Sequence, residues 1–229
     1  MPFPLTHLLV ADKLLNRRPR LEADAAQFIL GSIAPDAVHY RKDISNDMGG
    51  IGPIKKITHL CPINDEPWGY VADNAGWVEC IKNFVKSHIG PLAEGYAAHV
   101  LTDLYNNKTM WYNFRTRHSQ EAAKGYKSGI YGDFRNLDAR LFLESEQRVK
   151  NIFHLLAKAE ACDMQGLVTA EEIEVIKNNI LFEQYKTHLP NPSREYTFVT
   201  YEETLEFIQK AADFVEEILY GSIQQEVSQ

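Results

Sequence analysis

Four short segments of the chain place a histidine or an aspartate where a helix would start, end or turn. They are His7 in Pro4-Leu5-Thr6-His7-Leu8-Leu9, Asp36 and His39 in Gly31-Ser32-Ile33-Ala34-Pro35-Asp36-Ala37-Val38-His39, His59 in Thr58-His59-Leu60, and His99 with Asp103 in Gly95-Tyr96-Ala97-Ala98-His99-Val100-Leu101-Thr102-Asp103. Imidazole nitrogen and carboxylate oxygen are the ligands of zinc and similar divalent ions. If the segments converge, the expectation is a metal-dependent hydrolase; if they do not, the chain is a helical domain without visible chemistry.

Each residue also has an ordinary reading. His99 and Asp103 lie four apart on an expected helix and so share a face, but a buried imidazole bonded to a carboxylate one turn away needs no metal. Asp36 follows Pro35, which fixes its own φ and restricts the residue before it, so the aspartate is aimed reproducibly; it also suits a helix N-cap. His59 follows a Gly-rich stretch, where a histidine is usually solvated. His7 falls in a first helical turn, where the helix dipole disfavours the protonated ring and leaves a neutral ligand. His88, His154 and His188 read as structural or exposed.

The elements that must position these residues are helical. Leu5, Leu8, Leu9, Val10, Leu14 and Leu15 give a first amphipathic helix with Thr6 as its N-cap. Residues 21–30 give a second, closed by Gly31 as a C′ glycine. Residues 32–72, rich in Gly and Pro, read as a long loop with short helical pieces. Helical spacing returns at 74–88, and Gly90-Pro91 starts the helix from about 92 to 106. Residues 120–131 and 134–160 follow, then two capping boxes, Thr169-x-x-Glu172 and Thr200-x-x-Glu203, open helices over about 170–187 and 201–220. The expected fold class is all-α, one domain over residues 1–229 with about seven or eight helices.

Composition narrows the function classes. The 229 residues carry 24 basic and 31 acidic side chains, a net charge of −7, which repels nucleic acid and anionic membrane. No run approaches the ~20 apolar residues of a membrane span, and the start lacks the marks of a signal peptide. Three cysteines without a Cys-x-x-Cys pair fit a reducing compartment. The expectation is a soluble cytoplasmic protein without membrane insertion, with nucleic acid excluded except as short oligonucleotides. The oligomeric state is not encoded in these features.

Taken together, the segments resemble the zinc-dependent phospholipase C family, which shares its fold with P1-type nucleases. The resemblance covers roughly residues 4–140 and rests on Thr6-His7-Leu8-Leu9, on residues 28–39 and on residues 95–103, with Thr58-His59 between them. It implies a phospholipase C/P1 nuclease type of fold. It also implies that Asp36, His59, His99 and Asp103 bind one ion, and that His7 binds a second bridged by Asp103. Secreted members add the amino group of a processed N-terminal Trp, which Met1-Pro2-Phe3-Pro4 does not supply. The family's third ligand group has no evident counterpart; His118, Asp133 and Asp138 are the residues available for it. One or two ions, zinc or another divalent metal, are expected.

The implied reaction is phosphoester hydrolysis by metal-activated hydroxide, with Asp36 as the catalytic carboxylate orienting water. His39, Arg41, Lys42, Lys55 and Lys56 flank the site as candidate phosphate contacts, and residues 49–53 form a candidate lid. The substrate is then a small-molecule phosphoester, with a water-soluble ester as open as the phospholipid that the family name implies. Two alternatives stay open: a nuclease of the same fold, and a non-catalytic helical protein with a structural metal site. No histidine is followed by aspartate and no His-Glu-x-x-His occurs, which disfavours HD-type phosphohydrolases and thermolysin-like proteases.

Overall fold

The first helix, α1 (Pro4–Arg17), starts with Pro at its first turn and buries Leu5, Leu8, Leu9 and Leu14. Thr6 is not its cap. It lies buried inside the first turn, and Phe3 occupies the N-cap position without a side-chain bond. The cap comes instead from across the fold, where Asp138 Oδ1 accepts the Leu5 N–H at 3.0 Å. A carboxylate held by another helix thus takes the capping role that a local hydroxyl was expected to fill, one turn earlier in the chain. The computed structural model describes residues 3–41, 51–62, 66, 69–187, 191 and 195–221; Lys42, Gly49, Gly50 and His188 lie outside them.

A two-turn 3-10 segment, Pro19–Asp24, leads into α2 (Ala25–Gly31). Gly31 is not a left-handed C′ residue but the last helical position, and its role is close packing. A Cβ there would stand 2.2 Å from the Leu92 carbonyl oxygen, and one on Gly95 would stand 2.1 Å from that of Phe28. Two helix backbones therefore meet where neither carries a side chain. The chain then makes a 3-10 turn, Ala34–Tyr40, opened by Pro35, and later α3 (Ile51–Thr58). The expected long loop is thus structured at both of its functional ends. Gly52 and Pro53, placed in a candidate lid, belong to α3.

α4 (Asn74–Ser87) is capped by Asp73, whose Oδ1 accepts the Gly76 N–H at 2.8 Å. α5 (Pro91–Lys108) follows Gly90, whose φ of +117° suits only glycine. It buries residues all round, from Ala93 to Asn107, so it is the central helix. α6 (Met110–Arg117) and the single turn α7 (Ser119–Ala122) come next. The helix expected over 120–131 is broken by Gly125 at φ +58° and a 3-10 turn, Gly125–Lys127. The one expected over 134–160 is two, α8 (Gly129–Glu144) and α9 (Glu146–Lys158), parted at Ser145.

Both capping boxes form, with reciprocal bonds at Thr169/Glu172 and Thr200/Glu203. They open α10 (Ala170–Asn179), which widens into a π turn (Ile180–Gln184) before α11 (Tyr185–Thr187), and α12 (Tyr201–Tyr220). α12 packs on α1 and α5. Among the described residues there is no strand, only one isolated bridge between Met164 and Val168. The fold is all-α. No helix among the described residues is long and apolar enough to cross a membrane.

Candidate metal centre

α1 supplies His7, the 3-10 turn supplies Asp36 and His39, the end of α3 supplies Lys55 and His59, and α5 supplies His99 and Asp103. All five residues expected to be ligands meet. Asp103 Oδ1 stands 3.5 Å from His7 Nε2, and its Oδ2 stands 3.4 Å from His59 Nε2. Asp36 Oδ1 stands 3.4 Å from His59 Nε2. His99 Nε2 is 3.9 Å from both Asp36 Oδ2 and Asp103 Oδ2. The His7 and His99 rings stack with centroids 3.7 Å apart, and the His59 ring meets His99 edge-on. Two sets of donor atoms lie close enough to share an ion: His7 with His99 and Asp103, and Asp36 with His59 and His99. His99 belongs to both, which differs from the division that the resemblance implied.

The cluster is buried, and that fixes its electrostatics. His7, His59, His99 and Asp103 are almost inaccessible, while the Asp36 side chain keeps 14% exposure. Burial holds the His7 pKa well below its ordinary value, helped by His99 beside it; burial and then the Lys55 ammonium do the same to His59. Neutral imidazole is the form that binds metals. Burial raises the Asp103 pKa. It would raise Asp36 too, but the Lys55 ammonium and hydrogen bonds from His39 and His59 reverse it and hold Asp36 well below the carboxylate range.

Hydrogen bonds decide which atoms face inward. His99 Nδ1 bonds the Ser32 carbonyl oxygen at 2.8 Å. A carbonyl only accepts, so the ring proton sits on Nδ1 and the Nε2 lone pair points into the cluster. That carbonyl follows Gly31, so the glycine contact between α2 and α5 sets the ring's orientation. His99 Nε2, both His7 nitrogens and both Asp103 oxygens are buried without a hydrogen bond. Such orphaned atoms cost about 1–3 kcal/mol each. Three imidazoles and two carboxylates fit a borderline divalent cation, which would satisfy them together.

The remaining candidates fall elsewhere. His39 Nε2 lies 3.0 Å from Lys55 Nζ at the rim of the cluster. Arg41 faces away, in a forked pair with Glu172. Asp133 Oδ2 accepts the Thr197 and Phe198 N–H groups, and Asp138 accepts from Leu5 and from the Tyr185 hydroxyl. Both therefore serve the backbone rather than the cluster. His118 is exposed at the end of α6, beside Phe114 and Phe198, on a surface cavity of about 330 Å³.

Lys55 is the residue that sequence reasoning undervalued. Expected only as one of several phosphate contacts flanking the site, it is fully buried, with Nζ 2.7 Å from Asp36 Oδ1. Its signal was the four-residue spacing to His59, which puts both on one face of α3. Comparison of the chain with protein-family models, with curated proteins and with solved structures finds no match.

Proposed function

We propose that this protein is a metal-dependent phosphoester hydrolase of the phospholipase C/P1 nuclease type, acting on a small phosphoester. The observation that carries the reading is the convergence of His7, Asp36, His59, His99 and Asp103 with buried donor atoms left unsatisfied among them. Divalent ions held by these residues, zinc being the fitting species, supply Lewis acidity and an activated water at neutral pH.

The chain's own residues complete the arrangement. Asp103 turns one oxygen to His7 and the other to His59, the disposition of a bridging carboxylate. Asp36, at 14%, has the most exposed side chain of the five, so it is the carboxylate that orients an attacking water. Lys55 stands beside it as the ammonium that offsets the charge of a bound phosphate, and His39 Nε2 accepts from Lys55. The acidic surface disfavours long polyanions and favours a small ester over nucleic acid.

The deep burial of His59, His99 and Asp103 also supports a second reading, a closed site of Asp36, His59, His99 and Asp103 with a purely structural role. Elemental analysis of the purified protein, paired with release of nitrophenol from phosphomono- and phosphodiesters, separates the two. Two ions per chain with chelator-sensitive hydrolysis are expected. One tightly held ion without hydrolysis leaves the structural reading, and a protein without metal ends both.

A further inference from the structure

α9 and α10 are joined by a loop whose residues 161–172 follow a known grammar. In calcium-binding helix–loop–helix units, twelve residues supply ligands at positions one, three, five, seven, nine and twelve. The seventh is a backbone carbonyl, the twelfth a bidentate Glu, and a Gly at six makes the turn. Here Gly166 is sixth, with φ +78° and open space where a side chain would stand. Leu167 is seventh, Thr169 ninth and Glu172 twelfth. α9 ends at Lys158 just before the loop, and α10 begins at Ala170, the tenth position.

A cation already occupies the loop, and it belongs to the chain. Arg41 Nε donates to Glu172 Oε1 at 2.6 Å, and its Nη2 donates to Glu172 Oε2 at 3.1 Å and to the Leu167 carbonyl at 2.8 Å. The twelfth-position carboxylate and the seventh-position carbonyl are thus engaged by one planar guanidinium, whose fork suits both. The departures from the grammar fit this occupant. The first position is Ala161 and the fifth Gln165, and Asp163 at three accepts the Ala170 N–H at 2.7 Å. A monovalent cation needs fewer anions than calcium.

We propose that residues 161–172 form an oxygen-ligand cation loop filled from within by Arg41, which excludes calcium from it. The filled loop fastens the 3-10 turn bearing Asp36 and His39 to α10, so Arg41 is a positioning residue for the candidate metal centre. The inference about the loop itself does not rest on the hydrolase reading.

The test is calcium-dependent thermal unfolding of the wild type, of Arg41→Ala and of Arg41→Ala combined with Glu172→Gln. Arg41→Ala should melt lower than the wild type and regain about 3–6 °C at a tenfold excess of calcium over its dissociation constant. The double variant should lack that gain, and the wild type should respond no more than the double variant. Should Arg41→Ala fail to fold, Arg41→Gln, which keeps amide donors without the charge, replaces it in the same series. Absence of calcium dependence in the single variant, or its persistence in the double variant, overturns the proposal.

Discussion

His99 is where the two sets of donor atoms meet, so its loss should be felt by both. His99→Ala is expected to lose bound metal and hydrolysis together, measured by elemental analysis and nitrophenyl ester turnover; full metal content in this variant would refute the ligand set. His7→Ala should lose only the ion shared with Asp103, leaving about half the metal of the wild type. Lys55→Gln should keep the metal and turn over about a hundredfold more slowly, the usual scale for removing one charge-stabilising donor. His7, Asp36, His99 and Asp103 stood out in the sequence because each sits at a local punctuation mark, a first helical turn, a proline or a four-residue spacing, whereas His59 was singled out as a ligand only by the resemblance. Lys55 did not stand out, because a lysine beside another lysine carries no sign of burial; its four-residue spacing to His59 gives the shared face, and the pairing with Asp36, nineteen positions away, gives the burial.

At the level of elements, the approach of α2 to α5 determines whether the ligands align. Gly31→Ala would drive a Cβ into the Leu92 carbonyl. The loss should be about 1–3 kcal/mol from overpacking, only partly offset by the ~1 kcal/mol better helix propensity of Ala. Denaturant unfolding measures the loss. Metal retention should also fall, because the Ser32 carbonyl that orients His99 moves with α2. Thr200→Ala, which removes a cap far from the cluster, should cost about 1 kcal/mol without changing metal content. Both capping boxes could be read from sequence because their partners are three residues apart. The cap of α1 could not, since Asp138 is 133 positions from Leu5. The same limit explains why Gly31 read as a helix terminator: its reason for being glycine is a backbone sixty residues on.

Across the whole molecule, one buried carboxyl works against the buried imidazoles in the response to pH. Burial pushes the Asp138 pKa up to about 7, against hydrogen bonds from Tyr185, Leu5 and Gln184. Between its unfolded value near 4 and 7, the folded chain binds the extra proton. The contribution of Asp138 to stability therefore falls as pH rises through that window, by up to about 1.4 kcal/mol per unit, and is level above it, while the depressed His7 and His59 contribute a rise over the same range. Asp138→Asn should remove the falling part, so that stability rises more steeply with pH in urea titrations at pH 5 to 8; an unchanged profile would place the titration elsewhere.

Asp138 reaches α1 from α8, and α12 holds the far end of α1 through Arg17 and Arg18 on Glu216 and Lys13 on Gln209. His7 therefore takes its place only when residues some two hundred positions later have been made. During synthesis, Asp36, His59, His99 and Asp103 leave the ribosome together well before that. On the proposed reading, the ion shared by Asp36, His59 and His99 can be taken up by the nascent chain before α12 is made, whereas the one shared by His7 waits for α12.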